Sequence, residues 1–129
     1  MGSQQLIMVI LSMVVVSVAI IIALTLFQAN AIESNRSALI DDLINLAGIA
    51  RSYYWKPANI GGGNRSFVGI TIRMLTTRPE NENGRYFIVD NSNVTKLMIG
   101  GKGKMVVDAD TIEIHMLINE EQNKIEIIK

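Results

Sequence analysis

Residues 1–32 contain no Asp, Glu, Lys or Arg. Within them, Leu6 to Phe27 is a run of 22 residues broken only by Ser12, Ser17 and Thr25. As a helix it is roughly 33 Å long, enough to cross a hydrocarbon core of about 30 Å. A cleaved signal peptide fits less well. No basic residue precedes the run, and the run is longer than an ordinary signal core, although Ala29-Asn30-Ala31 resembles a cleavage exit. The remaining readings are a single-pass anchor and a helix that leaves a membrane for a protein core.

All 24 charged residues lie in the other 97 positions, about the share of an ordinary globular domain. Lys+Arg and Asp+Glu balance at 12 each, which argues against a nucleic-acid partner. Cys is absent, which excludes a disulfide framework, a thiolate metal site and a cysteine nucleophile. His115 is the one histidine, so no site can use two imidazoles.

No linker follows Phe27. A helical pattern continues to Tyr54, with Leu39, Leu43, Leu46, Ala47, Ala50 and Tyr54 at steps of three and four. Pro57 stops it. The expectation is one helix from near residue 3 to near residue 55, on the order of 80 Å long. Its first half is apolar all round and its second half amphipathic. Leu39, Leu43, Leu46, Ala50 and Tyr54 are the expected helix-to-sheet contacts.

Beyond residue 60 the period changes to two. Val68, Ile70, Ile72 and Met74 alternate with polar residues and predict a strand. Further strands are expected at Arg85–Asp90, Val94–Ile99, Lys104–Val107, Ile112–Ile118 and Ile125–Ile128. Gly100-Gly101-Lys102-Gly103 and Asn119–Asn123 read as turns. Short strands with short turns imply an antiparallel meander. The fold class is therefore α+β, a long N-terminal helix packed on a C-terminal antiparallel sheet. The expected divisions are 1–27, an apolar transmembrane or filament-core helix; 28–57, its amphipathic continuation; and 58–129, the sheet head.

This order resembles the type IV pilin family and its relatives in type II secretion. The start Met1-Gly2-Ser3-Gln4-Gln5-Leu6-Ile7-Met8-Val9-Ile10 resembles a mature pilin start, a short polar step before an unbroken apolar helix. Ser34-Asn35-Arg36, Asp42-Leu43, Asn45-Leu46-Ala47, Tyr53-Tyr54, Lys56-Pro57 and the glycine-rich step into Ser66-Phe67 resemble uncharacterised bacterial pilin-like proteins. The resemblance covers about residues 1–70. Where family members usually carry Glu at the fifth mature position, this chain has Gln5, which offers an amine a hydrogen bond without a charge.

The resemblance implies a structural subunit of an extracellular filament, a helical homo-oligomer at the cell surface. Its precursor would wait in the inner membrane and be moved by a pilus assembly machinery. Met1, Gln4, Gln5, Leu6, Val9, Met13, Val16, Ile20, Leu24 and Phe27 are the expected filament-core residues. Gln4, Gln5, Ser12, Ser17 and Thr25 are expected to bond across helices, the alternative for the Ser and Thr hydroxyls being a bond to their own preceding turn. The alternatives are a secretion pseudopilin and a membrane-anchored β domain that never polymerises.

No nucleophile, base and orienting acid can be assembled, so the expectation is no enzyme, no catalytic residue, no cofactor and no metal. Asp108-Ala109-Asp110 supplies two carboxylates without a calcium loop. Lys102 and Lys104 do not match a phosphate loop. His115 reads as a surface or hydrogen-bonded histidine. Tyr53-Tyr54-Trp55 reads as packing between helix and sheet. Asn35, Asn64 and Asn93 head Asn-x-Ser/Thr triplets and are candidate glycosylation sites.

Overall fold

The structure is a computed structural model that describes residues 2–107 and 109–128. Helix α1 runs unbroken from Gly2 to Trp55, 54 residues. A single 3₁₀ turn at Ala58–Ile60 and a one-turn helix α2 at Ile72–Leu75 follow. Strands β1 (Gly84–Asp90), β2 (Lys96–Val107), β3 (Asp110–Asn119) and β4 (Asn123–Ile127) form one antiparallel sheet in the order β1-β2-β3-β4. This is the expected α+β architecture, a long helix followed by a meander.

The core lies between the second half of α1 and one face of the sheet. Leu39, Leu43, Leu46, Ala47, Ala50 and Tyr54 are buried on the helix side. Ile112, Ile114, Met116 and Ile118 are fully buried from β3, and Leu97 and Ile99 from β2. The period-two pattern of β3 thus turns one apolar row inward.

The direction of the helix is set by its contacts. Near its middle, the Asn35 side chain accepts the Lys104 and Met105 N–H groups at 3.2 and 3.4 Å. Further on, Arg51 donates to the Asn119 carbonyl at 3.3 Å and to Asn123 Oδ1. The Tyr54 hydroxyl donates to Glu120 Oε2 at 3.1 Å. A Cβ on Gly103 would meet Asn35 and Leu39 on one side and Ile112 on the other. The start of β3 therefore lies by Asn35–Leu39 and its end by Arg51–Tyr54. Helix α1 runs alongside β3 and parallel to it, so its apolar half leaves past the β2–β3 hairpin.

Several sequence expectations fail in the head; Val94 and Thr95, expected at the start of a strand, fall before β2. Val68–Met74 is no strand. Gly69 takes a left-handed φ of 80°, Ile70 N–H closes a turn on the Phe67 carbonyl, and Ile72–Leu75 is helical. Of the four alternating residues Ile70 is buried and Ile72 packs against the core, while Val68 and Met74 are exposed; Phe67 and Leu75, outside the alternating set, are buried instead. Alternation marks a strand only where a neighbouring strand exists to pair with it.

Gly100-Gly101-Lys102-Gly103 is no turn either. It lies inside β2, which is one strand of 12 residues where two were expected. Its glycines make room for rings and for the helix. A Cβ on Gly100 would sit 2.6 Å from the Phe87 ring, and one on Gly101 would meet the Tyr86 ring at 3.1 Å. Past Lys102 the β2–β3 register shifts by a bulge. The Lys104 and Met105 amides in this bulge turn to Asn35 instead of β3. Ile128, expected in the last strand, falls just after β4.

Candidate assembly and membrane-embedding surface

The exposed surface is dominated by the first half of α1. From Leu6 to Phe27 the large apolar side chains are 50 to 75% exposed, and they cover every side of the helix. Gln4, Gln5, Leu6, Val9, Met13, Val16, Ile20, Leu24 and Phe27 all lie on this exposed stretch; Met1 lies outside the described residues. Among the described residues, this is the one helix long and apolar enough to cross a membrane. Each large apolar side chain is worth roughly 1.5 to 3 kcal/mol on transfer from water. Left in water, the segment costs tens of kcal/mol, more than a whole domain's stability of about 5 to 15.

The three hydroxyls within Leu6–Phe27 are engaged by their own helix. Ser12 donates to the Met8 carbonyl at 2.8 Å, Ser17 to Met13 at 2.7 Å and Thr25 to Ile21 at 2.9 Å. In the single chain the hydroxyl hydrogens serve the preceding turn. There these three side chains take the intrahelical role of the two read from the sequence. A hydroxyl bonded to its own turn adds little polarity to the surface, which suits lipid and helix neighbours alike. Ser12 and Ser17 also flatten one side of the helix, where they lie with Met8, Val9, Met13 and Val16 in a shallow apolar groove.

The transition from lipid-like to covered surface is abrupt. Burial begins at Ala31 and Ile32 and is complete at Leu39. Glu33 and Arg36, the first charged pair, meet on successive turns just there. Compared with known proteins, the chain matches no family model, no curated protein and no solved structure.

The other sequence candidates are dispersed. His115 is half-buried on the face of the sheet away from α1, where its Nε2 lies 2.8 Å from Glu113 Oε1 and its ring meets the edge of Phe87 at 6.2 Å. Asp108 lies outside the described residues, and Asp110 Oδ1 accepts the Thr111 N–H at 2.8 Å. Lys102 and Lys104 project from β2. Tyr54 stacks on Phe67 at 4.7 Å and meets Trp55 edge-on at 5.0 Å, while Arg65 lies over the Trp55 ring.

Asn35 is unsuited to glycosylation. Its Nδ2 donates to the Asn83 carbonyl at 2.8 Å while its Oδ1 holds the β2 bulge, so a glycan would displace the bond that docks helix to sheet. Asn64 and Asn93 are exposed, and Asn93 Oδ1 accepts from the Thr95 N–H and hydroxyl.

Sequence reading passed over Asp42. Its Oδ2 accepts from Asn81 at 3.1 Å, from Asn83 at 3.0 Å and from the Tyr86 hydroxyl. One carboxylate thus ties the 76–84 loop and β1 to α1. Burial works to raise its pKa, but the bonds from Asn83, Tyr86 and Asn81 together outweigh burial and hold it below the usual carboxylate value. Asp42 adjoins the apolar helix face, and its partners lie some forty residues away. A local pattern holds no signal for such a contact.

Proposed function

We propose that this chain is the structural subunit of a type IV pilus-like filament, held in a membrane by residues 1–27 before assembly. The observation that carries the reading is the unbroken 54-residue helix, whose exposed apolar half runs into the core of the sheet head without a tether. An anchor that only tethers has no need of rigid coupling to its domain. A helix that must pack among copies of itself does, because the head's position then follows from the helix position. A staggered, non-closing contact between identical helices propagates as a filament. It also covers the apolar surface that water cannot.

The filament reading assigns residues 1–27 to a core, 28–55 to the bridge between core and surface, and the sheet to the outside. The subunit acts by assembly, as a cell-surface homo-oligomer with a membrane-inserted precursor pool. The test is electron microscopy and mass spectrometry of the sheared surface fraction of producing cells. Thin uniform filaments made mainly of this chain, with a map that accommodates a continuous helix on the order of 80 Å, are the expected result. A clean sheared fraction, with the chain confined to the detergent-soluble membrane pool, would overturn the proposal in favour of an anchored β domain. A short periplasmic fibre, with secretion lost on deletion, would mark a pseudopilin.

A further inference from the structure

We infer that the open edge of β4 docks the β4 strand of a second copy of this chain, antiparallel and centred on Ile125. The two edges of the sheet are unequal. The β1 edge is capped over Gly84–Tyr86 by the preceding segment, where the Tyr86 N–H donates to the Pro79 carbonyl at 2.7 Å, the Asn81 N–H to the Gly84 carbonyl at 2.9 Å, and Glu80 bridges Arg85. On β4, the Ile128 N–H donates to the Glu113 carbonyl at 3.0 Å. Alternation then turns the even-numbered residues of β4 toward β3 and leaves the backbone groups of Asn123, Ile125 and Ile127 on the outer edge. No strand covers that edge among the described residues.

The occupant follows from the sequence of the strand, Asn123-Lys124-Ile125-Glu126-Ile127. It is complementary to itself when reversed. With Ile125 opposite Ile125, Lys124 of each copy faces Glu126 of the other. Both charges lie on the sheet face away from α1, at the closely spaced non-hydrogen-bonded positions where side chains meet best. Neither forms an ion pair within the chain among the described residues. On the other face, Ile125 and Ile127 are 39 and 55% exposed although they sit in the rows of Met116 and Ile114. Helix α1 does not reach far enough to cover them. Ile44, two turns before Arg51 and so on the side of the helix from which Arg51 reaches Asn123 at the start of β4, is 46% exposed. Pairing joins these two apolar notches into one floor between two helices.

The pairing also sets an orientation. Antiparallel neighbours in one sheet are related by a two-fold axis normal to it, which reverses strands and helices together. Because α1 runs along the strands, the two apolar halves project in opposite directions. The contact therefore joins heads whose anchors lie in opposed membranes, or whose filaments run oppositely. It does not require polymerisation. A five-residue edge is small beside the roughly 1,200 Å² of a stable complex, so one contact is transient and an array of them holds by avidity.

The test uses the full chain in detergent micelles, with tagged copies capturing untagged ones. Lys124→Glu and Glu126→Lys each place like charges opposite one another and are expected to lower capture about tenfold. Mixing the two variants restores both attractive pairs, so capture is expected to recover. Capture that is absent for the unaltered chain, unchanged in the single variants or not restored in the mixture overturns the inference. In lipid vesicles, the unaltered chain should dock vesicle to vesicle, and the two variants should dock only each other. Capture in micelles without docking by vesicles that carry the chain on flotation overturns the opposed orientation. Flotation itself reports separately whether the apolar half is an anchor.

Discussion

Two residues carry polar work that no periodicity announces. Asp42 gathers three donors from the far side of the head, and Asn35 stitches the β2 bulge to α1. Asp42→Ala would leave Tyr86, Asn81 and Asn83 with unmet donors, at a cost of about 1 to 3 kcal/mol; denaturant unfolding of the full chain in detergent measures it. The pH dependence has a definite sign. A carboxyl whose folded-state pKa lies below its unfolded value of about 3.9 contributes stability above that value. That contribution is lost as pH falls through the folded-state pKa. Asp42→Asn should therefore flatten the acid limb of the stability profile. Tyr86 mirrors it, since burial and then the Asp42 carboxylate raise its hydroxyl's pKa far above the ordinary value. Its contribution is present below about pH 10 and lost as pH rises toward the folded-state pKa. Tyr86→Phe should remove the alkaline limb, and an unchanged profile in both variants would refute the pairing.

At the scale of elements, α1 and the sheet meet where helix leucines stand over sheet glycines, Leu43 over Gly101 and Leu39 over Gly103. Leu43 is fully buried. Leu43→Ala should cost about 2 to 5 kcal/mol, read from the same unfolding curves. Gly101→Val belongs to the same contact and should loosen the helix from β2, because a Cβ there already meets Tyr86 and Leu43. Gly48 gives the opposite expectation. It lies inside α1, exposed, and a Cβ on it meets nothing within 4 Å. Gly48→Ala should stabilise the isolated subunit by about 0.5 to 1 kcal/mol, measured as a higher unfolding midpoint.

For the whole molecule, the decisive property is that half of one helix is covered by its own domain and half is not. A charge at Val15 or Ile20 separates the ways the uncovered half can be satisfied. Ile20→Lys should abolish filaments under the proposed function, whereas a merely anchored domain would lose membrane retention alone. Fractionation and electron microscopy of the same cells distinguish the two.

The length of the apolar run, the absence of charge from residues 1–32 and the period of Leu39 to Tyr54 were enough to determine the long helix and the face it buries. Strands β1 and β3 and the 119–123 turn were legible for the same reason, since hydrophobic period is a local property carried in contiguous residues. The exceptions mark what only the tertiary structure decided. Val68–Met74 alternates yet has no strand beside it, and Gly100–Gly103 reads as a turn yet lies flat in β2 because rings and a helix need the space. The polar hub at Asp42 and the open edge at β4 likewise depend on which segments meet across long stretches of chain. Contacts between distant segments are set by packing, and a one-dimensional pattern does not record them.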